Sequence, residues 1–166
     1  MDEYEFALCM LCNRACHRPR VERIFALVSR LGDGLFWYAV MAVLPVLYGR
    51  PGVVASAHMA VAGGLGVTIY KLLKARLVRQ RPFVTHGAIR KGTAPLDWYS
   101  FPSGHTLHAV AFCAVAVAHF ALLAWVLVPF ALAVALSRVV LGLHYPTDVL
   151  AGGAIGALLA GLVLLV

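Results

Sequence analysis

Acidic residues are scarce in this sequence: seven Asp and Glu among 166 residues, against fourteen Lys and Arg. Charge of either sign makes up only 13% of the chain, whereas 62% is hydrophobic. Four stretches, residues 34–49, 51–70, 98–137 and 149–166, contain no charged side chain at all. A membrane-crossing helix needs about 20 apolar residues, about 17 at the short end. The third stretch therefore holds two spans and the others one each, with 34–49 at the lower limit. The expected fold is an all-α polytopic membrane bundle of five transmembrane helices. Alternating polarity in short strands is also missing, which argues against a β-barrel. The basic-then-apolar order of a secretory signal is lacking too, because the chain opens on Asp2, Glu3 and Glu5. No internal repeat is visible, and the four cysteines imply no disulfide framework.

What charge there is gathers in a few places. Residues 1–33 are too charged to span, and with Arg14, Arg18, Arg20, Arg23 and Arg30 they predict an amphipathic helix lying on the membrane surface, ahead of a bundle over 34–166. Cys9, Cys12 and Cys16, beside His17, follow the spacing of one helical stripe, and we expect them to pack as small apolar groups rather than bind metal. Cys113, inside a span, is expected to pack as well. The net charge of +7 favours anionic head groups. Nucleic acid is not expected as a partner, because the basic residues flank the spans.

Three clusters lie beyond residue 33. The first is "KARLVRQRP", residues 74–82. If the second span, starting near Val53, runs on to about Gln80 and stops at Pro82, Lys74 and Arg81 fall about 20° apart on one helix face, two turns from each other. Arg76 and Arg79 would face the other way. An ammonium and a guanidinium so placed suit a multiply charged anion, with the guanidinium forking onto two oxygens. The second cluster is "PSGH", residues 102–105. It opens a helix predicted to run to about Leu122, where Ser103, the Gly104 amide and the helix dipole favour negative charge. The third is "SRVVLGLHYPTD", residues 137–148. Here Arg138 ends a fourth helix reaching about Gly142, and Asp148, near the start of the last span, can reach back to His144. A carboxylate on one imidazole nitrogen fixes the tautomer and leaves the other nucleophilic. Five spans would bring all three clusters to one membrane face. Ionisable groups at such depth mark a working site.

The trio K-x6-RP, PSGH and SR-x5-H-x3-D, carried by Lys74, Arg81, Pro82, Pro102, Ser103, Gly104, His105, Ser137, Arg138, His144 and Asp148, resembles the type 2 phosphatidic acid phosphatase family of lipid phosphate phosphatases. The resemblance covers roughly residues 53–166 and suggests a bacterial-type membrane member. Usual members of that kind have six spans, so the N-terminal helix stands where a first span would be. The resemblance implies a metal-independent hydrolase of a lipid phosphomonoester or diphosphate that needs no cofactor. In it His144, oriented by Asp148, attacks phosphorus and becomes a phosphohistidine. His105 protonates the leaving alkoxide and then activates water. Lys74, Arg81, Arg138, Ser103 and Gly104 hold the equatorial oxygens.

The substrate is expected to be an amphiphile such as phosphatidate, phosphatidylglycerol phosphate or a polyprenyl phosphate or diphosphate. Loop residues His86, Arg90, Lys91, Trp98 and Tyr99 stand where a head group would be selected. A phosphotransferase would use the same residues, and a transporter that only binds anionic lipid would need neither His144 nor Asp148. Thirteen of the fourteen basic residues fall on the side of the clusters, with Arg50 alone opposite. The positive-inside rule then favours a site facing the cytoplasm from the inner membrane.

Overall fold

The computed structural model describes residues 3–166, so Met1 and Asp2 of the predicted N-terminal helix lie outside the described residues. The described residues form eight α-helices and no strands: α1 (Glu3–Asn13), α2 (Pro19–Gly32), α3 (Leu35–Tyr48), α4 (Arg50–Arg76), α5 (Pro82–Thr85), α6 (Gly104–His119), α7 (Ala124–Val140) and α8 (Pro146–Val163). A 3-10 turn, Arg14–His17, joins α1 to α2, and another, Ala121–Leu123, leads into α7.

Among the described residues, three segments are long and apolar enough to cross a bilayer: Arg50–Arg76, Ala121–Val140 and Pro146–Val163. A fourth passes the same test only if α2 and α3 count as one span bent by 52°. At 1.5 Å per residue, α3 and α6 reach about 21 and 24 Å, short of a hydrocarbon core of about 30 Å. The protein is thus a helical, multi-pass membrane protein with three to four such spans by length and composition. Large apolar side chains such as Leu35, Val46, Leu132 and Leu158 point outward, as a lipid-facing surface requires.

The middle of the bundle is packed by Trp37, Met59, Phe112, Val115, Leu127 and Val134, all buried. Helices α6 and α8 share the most extensive interface, and glycine lets them close on each other. A Cβ on Gly152 would lie 2.5 Å from the Ser103 carbonyl oxygen, and one on Gly156 would lie 2.3 Å from that of Leu107. This small-residue seam fixes the start of α6 against the start of α8. The Ser103 N–H strengthens it by donating to the Asp148 carbonyl at 3.0 Å.

The N-terminal segment differs from the single surface helix expected of it. It breaks at Arg18, which is extended ahead of Pro19, because proline disfavours helix in the residue before it. Both halves pack inward. Cys9 is buried with Ile89, Val139 and Tyr145. Cys16 is buried with Val140, Leu141 and Leu143, and its thiol donates to the Val140 carbonyl at 3.0 Å. Cys113 lies in the bundle core. All four thiols are free. Asn13 ties the segment down further, donating to the Arg90 and Val140 carbonyls and accepting from the Arg90 amide.

Two other boundaries move. The second span does not continue to Gln80: α4 ends at Arg76, and the carbonyls of Arg79 and Gln80 accept from Ser100 instead of from a helical turn. The third helix stops at His119, where Phe120 adopts an extended φ of −139°.

Candidate active site

Helix ends build the site. Where α2 gives way to α3, Gly34 takes φ +130° and turns Asp33 toward the bundle. Helix α4 carries Lys74 near its end. Arg81 is extended (φ −77°, ψ 152°) ahead of Pro82, which points its side chain back into the bundle. At the other end of the long loop, Ser103 caps α6 and sets Gly104 and His105 in its first turn. Helix α7 ends in a tight turn closed by the His144 and Leu143 amides on the Arg138 carbonyl. That turn needs Gly142 at φ +71°, where a Cβ would also strike the Arg90 carbonyl at 2.7 Å.

These ends enclose a cavity of about 750 Å³. Lys74, Arg81, Gly104, His105, Arg138 and His144 all line it. Six of the eight residues expected to form the site therefore share one wall. Asp148 sits behind His144, fully buried. Ser103 is also behind the wall, its hydroxyl paired with Thr106 Oγ1 at 3.0 Å, so its side chain serves the helix cap rather than the cavity. A Cβ on Gly104 would meet nothing closer than Tyr70 at 3.8 Å, so no packing within the protein demands a glycine there.

Lys74 and Arg81 converge, though not as neighbours on one helix face. They meet on Asp97, whose Oδ1 accepts from Lys74 Nζ at 2.7 Å and from Arg81 Nη2 at 2.7 Å. Burial pushes the Asp97 carboxyl up, but the hydrogen bonds and charges of Lys74 and Arg81 outweigh it and hold it below the ordinary carboxylate range. Burial also pulls the Arg81 guanidinium down from its usual value, against the pull of Asp97.

Arg81 Nη1 lies 2.8 Å from the Leu143 carbonyl and 3.2 Å from His144 Nε2. Arginine can only donate, so Nε2 of His144 accepts and its proton belongs on Nδ1. Nδ1 faces Asp148 Oδ2 at 3.7 Å, a charge contact longer than a hydrogen bond. That same oxygen accepts the Tyr145 amide at 2.8 Å. Burial, and then the charges of Arg138, Arg81 and Lys74, push the His144 imidazole well below its ordinary value. His144 is thus a neutral base whose unprotonated Nε2 accepts from Arg81 at the edge of a cationic pocket.

Two carboxylates in this site carry no motif. Asp97 is one; Asp33, which contacts His105 Nε2, is the other. Opposite them Arg138, fully buried, donates to Ser29 Oγ of α2. Scarcity was the available signal for both acids: Asp33 and Asp97 are the only acidic residues between Glu22 and Asp148.

The expected head-group residues divide. Trp98 and Tyr99 line the cavity. His86 stacks on Phe6 of α1 with ring centroids 4.1 Å apart, Arg90 pairs with Glu22 of α2 at 3.0 Å, and Lys91 sits over the Phe83 ring. His86 and Arg90 hold the loop against the N-terminal segment, and Lys91 packs on α5.

A family model described as the PAP2 superfamily matches residues 51–166. A decaprenylphosphoryl-5-phosphoribose phosphatase of Mycobacterium tuberculosis is 34% identical over 141 residues, covering 82% of this chain and 75% of the relative. The lipid A 1-phosphatase of Rhizobium johnstonii is 28% identical over 82% of this chain and 64% of its own length. Among solved structures, Aquifex aeolicus LpxE superposes with a TM-score of 0.84 at 25% identity, covering 96% of this chain and 94% of that one. The transmembrane PAP2-type phosphatidylglycerolphosphate phosphatase of Bacillus subtilis superposes with a TM-score of 0.74 at 25% identity, covering 96% and 82%.

Proposed function

Because the chain belongs to the PAP2 superfamily, and is therefore a phosphatase of the membrane, we propose that it hydrolyses a lipid phosphate through a phosphohistidine on His144. The observation that carries this is the one cavity that His105 and His144 share with Lys74, Arg81 and Arg138, with an oxyanion already held in the cationic grip. The Asp97 carboxylate stands in for a substrate phosphate there. Gly104 supports the same placement, since its missing side chain leaves an α6 amide open to an anion.

In this scheme the substrate phosphate displaces Asp97 from Lys74 and Arg81 and takes Arg138 as a third cationic partner. His144 Nε2 attacks phosphorus in line while the ester P–O bond breaks. His105, its charge supported by Asp33, gives a proton to the departing alkoxide. The neutral His105 then takes a proton from water, whose oxygen attacks phosphorus and breaks the P–N bond. Inorganic phosphate leaves, and His144 and His105 return to their starting states. Asp148 steadies the imidazolium that forms on His144. Lys74, Arg81, Arg138 and the Gly104 amide meet the charge that gathers on the equatorial oxygens. Ser103 contributes by capping α6.

The substrate is an amphiphile. From the cations the cavity continues past Tyr70 to Val67, Gly63, Met41 and Phe112, an apolar route between α3, α4 and α6 into the bilayer. Phosphatidate, phosphatidylglycerol phosphate and polyprenyl phosphates or diphosphates all fit that description, and the named relatives act on lipid-linked phosphates. We read α3, α4, α6, α7 and α8 as five spans in a bacterial inner membrane. The basic residues gathered at the catalytic end favour a cytoplasmic site.

Phosphate release by the purified chain from a panel of these lipids tests the reading, with His144→Ala as control. Release by the unaltered chain and none by the variant is the expected result. Undiminished release by His144→Ala would overturn it.

A further inference from the structure

Arg79 occupies one of the unspecified positions of K-x6-RP, and it does not line the cavity. It nevertheless bridges two carboxylates, Asp148 and Glu5. Nη1 donates to Asp148 Oδ1 at 2.6 Å and to Thr147 Oγ1 at 2.8 Å, and Nη2 donates to Glu5 Oε2 at 2.6 Å. The guanidinium plane rests on the Tyr145 ring, 4.2 Å from its centroid. Asp148 is completely buried, and among the described residues its only cationic partner, apart from the 3.7 Å contact with His144, is Arg79. A buried carboxylate without a countercharge is strongly disfavoured.

The main chain of Arg79 is pinned too: its carbonyl accepts the Ser100 amide at 2.8 Å, just ahead of the turn into α6. On its outer side Glu5 of α1 closes the arrangement. Its Oε2 takes Arg79, and its Oε1 accepts the Thr147 amide at 3.1 Å and the Thr147 hydroxyl. Glu5 lies in the part of the chain that the family model does not cover.

We propose that Arg79 and Glu5 are positioning residues for the reaction: Arg79 holds Asp148 ionised and aimed at His144 Nδ1, and Glu5 of the N-terminal helix holds Arg79 in that pose. The inference rests on the phosphohistidine reading above, because it gives Asp148 a function only if His144 carries the phosphoryl group. Burial alone would pull the Arg79 guanidinium down, but Asp148 and Glu5 together bring it above its ordinary value. The N-terminal segment is then part of the catalytic apparatus, acting at the back of the site through one arginine.

Neither residue lines the cavity, so the expected signature is a fall in kcat with KM unchanged. Steady-state phosphate release would be measured for the full chain in detergent micelles, on whichever member of the lipid panel it hydrolyses fastest. Arg79→Gln should lower kcat by roughly ten- to a hundredfold, the usual scale for a misaimed reacting group. Arg79→Lys, which keeps the charge but not the fork, should recover part of the loss. Glu5→Gln should cost a few fold in the unaltered background and nothing further in Arg79→Gln, since Glu5 acts through that side chain.

The inference is overturned if Arg79→Gln keeps kcat within twofold while His144→Ala is inactive. Equal additive losses from Glu5→Gln in both backgrounds would also overturn the coupling, and would assign Glu5 to Thr147 and the start of α8 alone. A higher KM with unchanged kcat in Arg79→Gln would count against it in the same way. Where Arg79→Gln fails to fold, Arg79→Lys and Glu5→Gln carry the same test through the kcat-to-KM split. If His144→Ala stays active, the underlying reading falls, and this inference with it.

Discussion

The front of the molecule, residues 3–34, and the family-matched remainder, residues 51–166, contribute to one site in opposite ways. The matched part supplies the groups that face the cavity at fixed short spacings: Lys74 and Arg81, Gly104 and His105, Arg138 and His144. The front supplies mostly counter-groups: Glu5 for Arg79, Asp33 for His105, Ser29 for Arg138. Reacting groups must hold a common geometry, which short motifs encode. Countercharges need only arrive from somewhere, so they can come from a distant helix with no motif at all. In a chain with seven acids, four of them (Glu5, Asp33, Asp97 and Asp148) are committed to this one neighbourhood.

The contrast can be broken by mutation, and the largest effect belongs to the matched part. His144→Ala should remove turnover by at least about a thousandfold, since it takes away the attacking nitrogen. Phosphate release at high enzyme concentration checks this.

On the front side, Asp33→Asn should lower kcat for a lipid phosphate by roughly ten- to a hundredfold, below the full worth of a general acid because His105 remains. The same variant should be nearly unimpaired on para-nitrophenyl phosphate, whose leaving group departs without needing a proton. Equal losses on both substrates would assign Asp33 to packing instead.

A packing pair comes next. Gly156→Val puts a branched side chain where even a Cβ would stand 2.3 Å from a backbone oxygen, so α6 and α8 must part. Overpacking costs about 1–3 kcal/mol or more, and the thermal midpoint in detergent should fall. Gly64→Ala, with nothing within 4 Å, should leave it unchanged or raise it.

Smaller still is the effect of pH on the free enzyme. The imidazole of His144 is pushed well below its ordinary value, 6.5. The neutral form is the nucleophile, and a lowered pKa keeps it neutral further into acid. Corrected for the substrate's own ionisation near pH 6, kcat/KM should hold as pH falls through 6.5 and decline only below that. A half-loss centred at or above 6.5 would contradict the buried, cation-ringed placement of His144.

Much of this architecture was legible in the sequence, for reasons that differ by residue. The uncharged runs gave the helices because lipid tolerates little charge, and the residues facing the cavity declared themselves by type and spacing. The Lys74–Arg81 pairing came out by a different route from the helical one expected. Pro82 bears only on Arg81 before it, whereas α4 already ends at Arg76, and in the stretch that follows the Arg79 and Gln80 carbonyls accept from Ser100, about twenty residues on. Non-local hydrogen bonding of that kind leaves no periodic trace. Asp33 and Asp97 likewise meet His105, Lys74 and Arg81 only through non-local contacts, and no motif marks them. Ser103 fits its role as a cap but not the expected role at the phosphate. The two packed helices at the front, tied in through Cys9, Asn13 and Cys16, could not be told from one amphipathic surface helix by composition alone.

Trapping the intermediate tests the central claim most directly. The purified protein would be mixed with a substrate labelled in its phosphate, quenched in alkali within milliseconds, digested and mapped. The account predicts a label stable to base and labile to acid on the peptide carrying His144, formed equally well in the presence of EDTA. Label on another residue, or turnover abolished by EDTA and restored by a divalent cation, would contradict it.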